Sequence, residues 1–183
     1  MKNGTTRFAF AAAAVAALTF AAPAQSQSLL PFAVEGRTGL AFPTGDFGNA
    51  LGTGYSVGAN VSFNVLPAVA VYGGYSYTQF DFDDDLGGDD SFNVKGLEAG
   101  ARLRLPMVGL SPYLKGGVVY YNGGVSGGPD VDNELGFQVG AGLDYRLGPV
   151  VSFTPEVSYV SVPAERGPDA SFVRADVGLR FQL

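Results

Sequence analysis

The last 13 residues, SFVRADVGLRFQL (Ser171–Leu183), alternate between two kinds of side chain. One face carries Val, Ala, Val, Leu, Phe and Leu, and the other carries Phe, Arg, Asp, Gly, Arg and Gln. Strict alternation of this kind predicts a β-strand whose two faces meet different environments. In a water-soluble sheet the apolar face would pack on a core, whereas in a membrane-spanning sheet it would face lipid.

The same alternation recurs along the rest of the chain. Predicted strands cover residues 32–42, 55–65, 69–82, 91–105, 112–121, 133–147, 151–161 and 171–183. The phase of the fifth segment is less clear, and Pro155 removes a ladder donor from the seventh, where we expect a local bulge. Long polar connections alternate with short turns between these segments. We therefore expect an all-β domain of eight antiparallel strands in up-and-down order, with both its ends on the same side.

The first residues have a different character. Two basic residues precede an uncharged, alanine-rich stretch that ends in Ala22-Pro23-Ala24. This is the pattern of a cleavable signal peptide, which we assign to residues 1–24, with cleavage after Ser26 as the alternative. The exported domain is then 25–183, sent out by the general secretory route. The chain has no Cys, so we expect this domain to fold without disulfides.

The charged residues of the strands share one face. On the predicted inward face we place six acids and seven bases: Glu35, Arg37, Glu98, Arg102, Arg104, Lys115, Glu134, Asp144, Arg146, Glu156, Arg174, Asp176 and Arg180. An Arg or Lys that faces the middle of a bilayer destabilises a barrel by roughly 2–4 kcal/mol. We therefore expect these residues to face away from lipid. A soluble, lipocalin-like barrel would carry its charges outside instead. Charges inside and apolar residues outside predict a closed transmembrane β-barrel, because closure leaves no unpaired sheet edge in lipid.

The lumen of such a barrel is narrow. Eight strands enclose a space that side chains just fill, and buried charges are costly unless they are paired. We expect Gly140 and Gly142 to leave room for the charged side chains. For Arg174, Asp176 and Arg180 of the last strand, the candidate partners are Glu35 and Arg37 of the first strand and, further across the lumen, Asp144 and Glu156.

Three segments carry a resemblance to a known family: GLAFPTGDF at 39–47, PYLKGGVVYY at 112–121 and the last strand. Together with the alternating connections, they resemble the eight-stranded, OmpA-like outer-membrane β-barrel domains of Gram-negative bacteria. The resemblance implies a monomer in the bacterial outer membrane that contacts lipid and lipopolysaccharide. It also implies insertion by the barrel-assembly machinery, which usually reads a terminal aromatic residue. Here Phe181 and Leu183 are the expected C-terminal assembly signal.

Composition limits the chemistry that the chain can perform. It has no His, so Ser-His-Asp catalysis is unavailable and we expect no enzyme. The inward carboxylates Glu98, Asp144 and Asp176 are better explained as ion-pair members than as a catalytic dyad.

The Asp-rich segment 81–90 resembles part of a calcium loop. Leu86 stands where such a loop needs Gly and Phe92 stands where it needs Glu, so we expect no metal and no cofactor. Weak bridging by divalent cations to lipopolysaccharide stays open. The excess of acidic residues argues against nucleic-acid binding.

Two functions remain. The first is a structural, surface-display barrel with a filled, charged lumen and acidic loops that mediate adhesion or other interactions with an extracellular ligand. The alternative is a narrow channel for small solutes or ions.

Overall fold

The computed structural model describes residues 31–49, 51–81, 91–105, 107, 109–125, 134–163 and 169–183. Eight strands form one closed sheet: β1 (Phe32–Pro43), β2 (Gly54–Leu66), β3 (Val69–Asp81), β4 (Ser91–Arg104), β5 (Leu110–Val125), β6 (Glu134–Arg146), β7 (Val151–Val162) and β8 (Ala170–Gln182). A 3-10 helix, Gly45–Asn49, follows β1. The predicted signal peptide and residues 82–90 of the Asp-rich segment lie outside the described residues.

Every strand pairs with its sequence neighbours in antiparallel fashion, and β1 pairs with β8 to close the barrel. At this seam Glu35 lies opposite Arg180 and Gly39 lies opposite Asp176. The strands have 12 to 16 residues, more than the 9–11 or so that a tilted strand needs to cross a bilayer. The predicted eight-stranded antiparallel barrel is therefore confirmed.

The two ends of the barrel differ in their connections. At one end, which we call the loop end, are the strand ends that the long connections 44–53, 82–90, 126–133 and 163–169 join. At the other, the turn end, lie the short connections 67–68, 105–109 and 147–150 together with the start of β1 and the end of β8. No helix in the described part of the chain is long and apolar enough to cross a bilayer.

The fifth strand is longer than its sequence predicts. It extends beyond 112–121 at both ends, and Gly123 and Gly124 continue the ladder with Val94 and Asn93 of β4. Its phase places Tyr113, Lys115, Val119 and Tyr121 on the inside, where all four are buried. Glycine in a strand resembles a loop in sequence, which is why the predicted strand stops early.

The bulge expected at Pro155 is wrong. Pro155 pairs with Val177 of β8 without a change of register. On the other side, the β6–β7 ladder keeps the same register before and after Pro155 but lacks the pairs between Gly142–Glu156 and Tyr145–Phe153. The proline therefore opens a short gap in one ladder rather than adding a residue. An irregular register lies elsewhere, between Asn64 and Leu66 beside the first turn.

The outward face of the barrel is apolar. Leu97, Leu114, Phe137, Val157 and Leu179 are all exposed, on five different strands. Leu97 and Leu114 each have 61% of their surface accessible. A continuous band of this kind is unfavourable in water and suits the hydrocarbon layer.

Candidate functional site in the barrel lumen

The predicted inward charges lie mostly inside the barrel. Ten are buried: Glu35, Arg37, Glu98, Arg102, Lys115, Asp144, Glu156, Arg174, Asp176 and Arg180. Arg104 and Glu134 are partly buried, and Arg146 is exposed at the turn end of β6. Alternation along the strands puts these side chains inside, since each occupies the inward phase of its strand.

Glu98 of β4 accepts four hydrogen bonds at the centre of the lumen. Arg37 Nη2 lies 2.6 Å from its Oε2, and Arg174 Nη1 lies 3.0 Å from its Oε1. The Tyr121 hydroxyl donates to Oε1 at 2.7 Å and the Gln138 amide donates to Oε2 at 3.0 Å. Each carboxylate oxygen thus receives two donors, which is the arrangement that makes a buried carboxylate tolerable.

Arg174 of β8 is the largest fully buried side chain of the barrel, with 0% of its surface accessible. Besides Glu98, its guanidinium donates to Ser76 at 3.3 Å and to Gln138 Oε1 at 3.1 Å. The predicted partners of Arg174 on β1 are therefore not the ones that it contacts. Its carboxylate partners are Glu98 across the lumen and Asp176 on its own strand, the latter at 3.7 Å.

The seam between β1 and β8 does form ion pairs. Arg37 Nε lies 3.8 Å from Asp176, and Arg180 Nη1 lies 3.7 Å from Glu35. The Ser56 hydroxyl donates to Asp176 Oδ1 at 2.5 Å. We call Arg37, Glu98, Arg174 and Asp176 the middle layer. It contains two acids and two bases.

A second set of charges lies between the middle layer and the turn end. This turn-end layer consists of Glu35, Arg102, Arg104, Lys115, Asp144, Arg146, Glu156 and Arg180. Arg102 bonds Glu35 at 3.2 Å and Asp144 at 3.5 Å, and Arg104 lies 3.1 Å from Asp144. Lys115 lies 2.5 Å from Glu156. With five bases and three acids, the turn-end layer is where the positive charge of the lumen is in excess.

Tyrosines fill the space that glycines leave. The ring of Tyr113 stacks on the Arg102 guanidinium, 3.6 Å from its carbon, and the hydroxyl donates to Glu156 at 2.9 Å. A Cβ on Gly142 would overlap this ring, so Gly142 makes room for a tyrosine and not directly for a charged side chain. Gly140 instead lies against Ser158 of the next strand.

An apolar cluster at the loop end was missed by the sequence reasoning. Phe47 of the 3-10 helix packs edge-on against Phe80 and Phe92, and Phe80 packs against Phe172. With the buried residues around them, these rings cap the charged layers. The sequence predicts part of this cluster, because alternation places Phe80 and Phe172 on the inward faces of their strands. Phe47 lies in a connection, where alternation predicts nothing.

Little space remains within the lumen. Within the turn-end layer, a void lined by Glu35, Tyr72, Arg102, Lys115 and Glu156 measures about 10 Å³. A single water needs roughly 10–15 Å³. A larger cavity of about 90 Å³ lies at the turn end and is lined by polar groups.

Nothing in the described part of the chain groups three or more potential metal ligands in one place. The expectation for residues 82–90 lies outside the described residues. At the chain end, Phe181 pairs with Val34 and Val151, and Leu183 is half exposed beside them. The Leu183 amide donates to the Phe32 carbonyl at 3.0 Å.

Solved structures with the same fold include bacterial surface and outer-membrane proteins. Neisserial surface protein A superposes with a TM-score of 0.68 at 16% identity, covering 86% of this chain and 100% of that one. The N-terminal β-barrel domain of Pseudomonas aeruginosa OprF gives 0.54 at 16% identity, covering 85% and 100%. Ail, the attachment invasion locus protein of Yersinia pestis, gives 0.53 at 16% identity, covering 84% and 100%.

Comparison with curated protein sequences finds no match. The sequence model for the outer membrane protein beta-barrel domain, however, matches residues 10–181 and so covers nearly the whole chain. The match agrees with the closed barrel, its apolar outward face and the similar solved structures. The chain belongs to the outer membrane protein beta-barrel domain family and lies in the outer membrane of a Gram-negative bacterium.

Proposed function

We propose that this barrel is a structural anchor that displays acidic loops at the cell surface and does not conduct solutes through its lumen. The filled lumen carries this proposal. Its middle layer is held together by Glu98 and Arg174, its loop end is capped by aromatic rings, and the void within its turn-end layer has room for about one water. A conducting path would need several of these buried ion pairs to break at once, which is costly.

The alternative, a narrow channel, has one observation in its favour. Positive charge is in excess at the turn end, where a cavity of about 90 Å³ is lined by Arg104, Arg146 and Arg180. This cavity would serve as the vestibule of an anion pathway if the layers above it moved.

Planar-bilayer conductance of the refolded mature chain, residues 25–183, separates the two functions. We expect no stable conductance steps at either polarity. Reproducible unitary steps that disappear in Arg146→Gln, which removes a charge from the vestibule, would replace the display function with the channel.

The display function also requires a defined orientation. We propose that the loop end faces outward and the turn end faces the periplasm. The acidic stretch 81–90 would then offer a cationic partner or divalent ions a negative surface. The name of the Yersinia protein includes the word attachment. Because the likeness is one of fold, an adhesive role for this chain depends on what its own loops bind.

The absence of native cysteines makes the orientation directly testable. Gly87→Cys places a thiol in the acidic connection, and Gly148→Cys places one in a turn where an added Cβ meets no atom within 4 Å. In intact cells, a membrane-impermeant maleimide should label Gly87→Cys and leave Gly148→Cys unlabelled until the outer membrane is opened. The reverse pattern would contradict the proposed orientation.

Lipopolysaccharide contact is part of the proposal. On the outward face near the loop end, the hydroxyls of Tyr55 and Tyr77 donate to Gln79 at 3.0 and 2.9 Å, and Tyr77 also bonds Asn93. Lys95 follows on the same face of β4. Aromatic and polar side chains at this height suit the boundary between acyl chains and headgroups.

We further propose a monomer, insertion by the barrel-assembly machinery, and no catalytic role.

A further inference from the structure

The cavity at the turn end is enclosed on several sides by the ends of strands and by two turns. Its volume is about 90 Å³, and the side chains that line it include Arg104, Ser111, Arg146, Ser152, Arg180 and Gln182. Since one water needs roughly 10–15 Å³, the cavity has room for several waters or for one small ion with some of its hydration. Asp144 is the acidic residue of this lining.

The cations of this cavity are not fully compensated by the protein. Asp144 is already shared, because Arg104 lies 3.1 Å and Arg102 lies 3.5 Å from its carboxylate. The other nearby acid, Glu35, is shared as well. It is 3.2 Å from Arg102 and 3.7 Å from Arg180.

Arg180 is the residue for which this matters most. It is 5% exposed, and its Nη2 has no hydrogen-bond partner among the described residues. A guanidinium offers five donors, and leaving them unsatisfied in a buried site is unfavourable. An anion in this cavity would both accept a hydrogen bond from Arg180 Nη2 and balance the charge of the buried guanidinium.

We propose that the turn-end cavity is a binding site for a small tetrahedral oxyanion, inorganic phosphate or the phosphate group of a phosphate ester. Guanidinium groups present paired donors that match phosphate oxygens, and Arg180 lines the cavity together with Arg104 and Arg146. The Ser152 hydroxyl adds a neutral donor to the lining, whereas the Ser111 hydroxyl donates to the Met107 carbonyl at 3.4 Å. A site at this end opens toward the compartment into which the turns project. With the turn end facing the periplasm, as proposed above, the group is supplied either by a free periplasmic anion or by a phospholipid headgroup that bends over the rim.

The first test uses the refolded mature chain in a phosphate-free maltoside detergent. Isothermal titration calorimetry with inorganic phosphate should show saturable binding of one ion per barrel. Arg180→Gln and Arg146→Gln should each weaken this binding by about tenfold or more, as expected for loss of a charged hydrogen bond. If Arg180→Gln does not refold, Arg146→Gln decides the result, because Arg146 is exposed and its loss leaves the buried pairs intact.

The matched control is Lys95→Gln, which removes the same unit of charge near the loop end and should leave phosphate binding unchanged. Equal weakening by Lys95→Gln would mean that phosphate responds only to net charge, and would overturn the site. In a second arm, phosphatidylglycerol in the same detergent replaces phosphate. Binding that is lost in Arg146→Gln assigns a headgroup, whereas binding of inorganic phosphate alone assigns a free anion. Failure of both titrations to show saturable binding overturns the proposal.

Discussion

At the scale of single residues, Glu98 determines how the lumen is organised. It joins two arginines from different strands, Arg37 on β1 and Arg174 on β8, although it lies on β4. Alternation predicts that all three point inward, and this much can be derived from the sequence. Which of these side chains come into contact depends on the tilt and stagger of the strands. These two quantities determine which residues face each other across a narrow barrel. That geometry is not contained in the alternation of any single strand.

The first prediction concerns the charge of this carboxylate. Glu98→Gln keeps the shape of the side chain but leaves Arg37 and Arg174 without their shared counter-ion. We expect the free energy of unfolding to fall by about 3–5 kcal/mol, as for other buried pairs that lose one partner. Urea-driven unfolding of the refolded barrel in lipid bilayers measures it. Asp81→Asn, the same type of change at an exposed strand end, should be nearly neutral. Similar small effects for both variants would mean that water enters the lumen and screens the charges.

At the scale of elements, the strands were the most predictable part of the molecule. Seven of the eight strands begin and end within one residue of the bounds that alternation predicts, and the errors arose at glycine and proline positions. Gly123 and Gly124 continue β5 because a neighbouring strand offers partners there, and Pro155 leaves the register unchanged because its partners on β8 hold the strand in place. The fold of the connection that carries Phe47 depends on aromatic partners from distant strands, so no local pattern predicts it.

The second prediction concerns the gap in the β6–β7 ladder. Pro155→Val restores a backbone donor opposite Leu143 and keeps an apolar residue on the outward face. In lipid an unpaired carbonyl has no water to bond, so closing the ladder should stabilise the barrel. We expect a gain of about 0.5–1.5 kcal/mol, the usual net value of one hydrogen bond.

The matched control for this change is Pro112→Val on β5. Pro112 is paired with Leu143 in an unbroken ladder, so the same substitution there should add no stability. Denaturant midpoints for the two variants and the parent chain make the comparison. Equal gains would show that proline affects the unfolded chain and that the gap itself costs little.

At the scale of the whole molecule, the sequence predicts a barrel and its inside-outside polarity, and it leaves open what the barrel does. The inward charges could have lined a pore or filled one. The difference lies in side-chain packing, in particular the tyrosines Tyr72, Tyr113 and Tyr121, which occupy space that the predicted charges leave empty. A tyrosine in a strand does not by itself predict a position in the lumen, because tyrosine is also enriched at membrane interfaces.

The last prediction concerns how the whole barrel reaches the membrane. Phe181 and Leu183 lie on the outward face at the end of β8, where the barrel closes against β1. If the assembly machinery reads this strand end, Phe181→Ala should lower the amount of folded, heat-modifiable protein in the outer membrane of growing cells. Leu183→Phe should raise it by supplying a terminal aromatic residue. Val177→Ala, an outward-facing change on the same strand, should have little effect.

Refolding of the purified chains into detergent separates recognition by the machinery from the stability of the barrel, because the machinery is absent there. The parent chain and the three variants should then fold to a similar extent. A Phe181→Ala chain that also fails to refold in detergent would mean that Phe181 stabilises the closing seam, and that the cellular defect reflects folding rather than recognition.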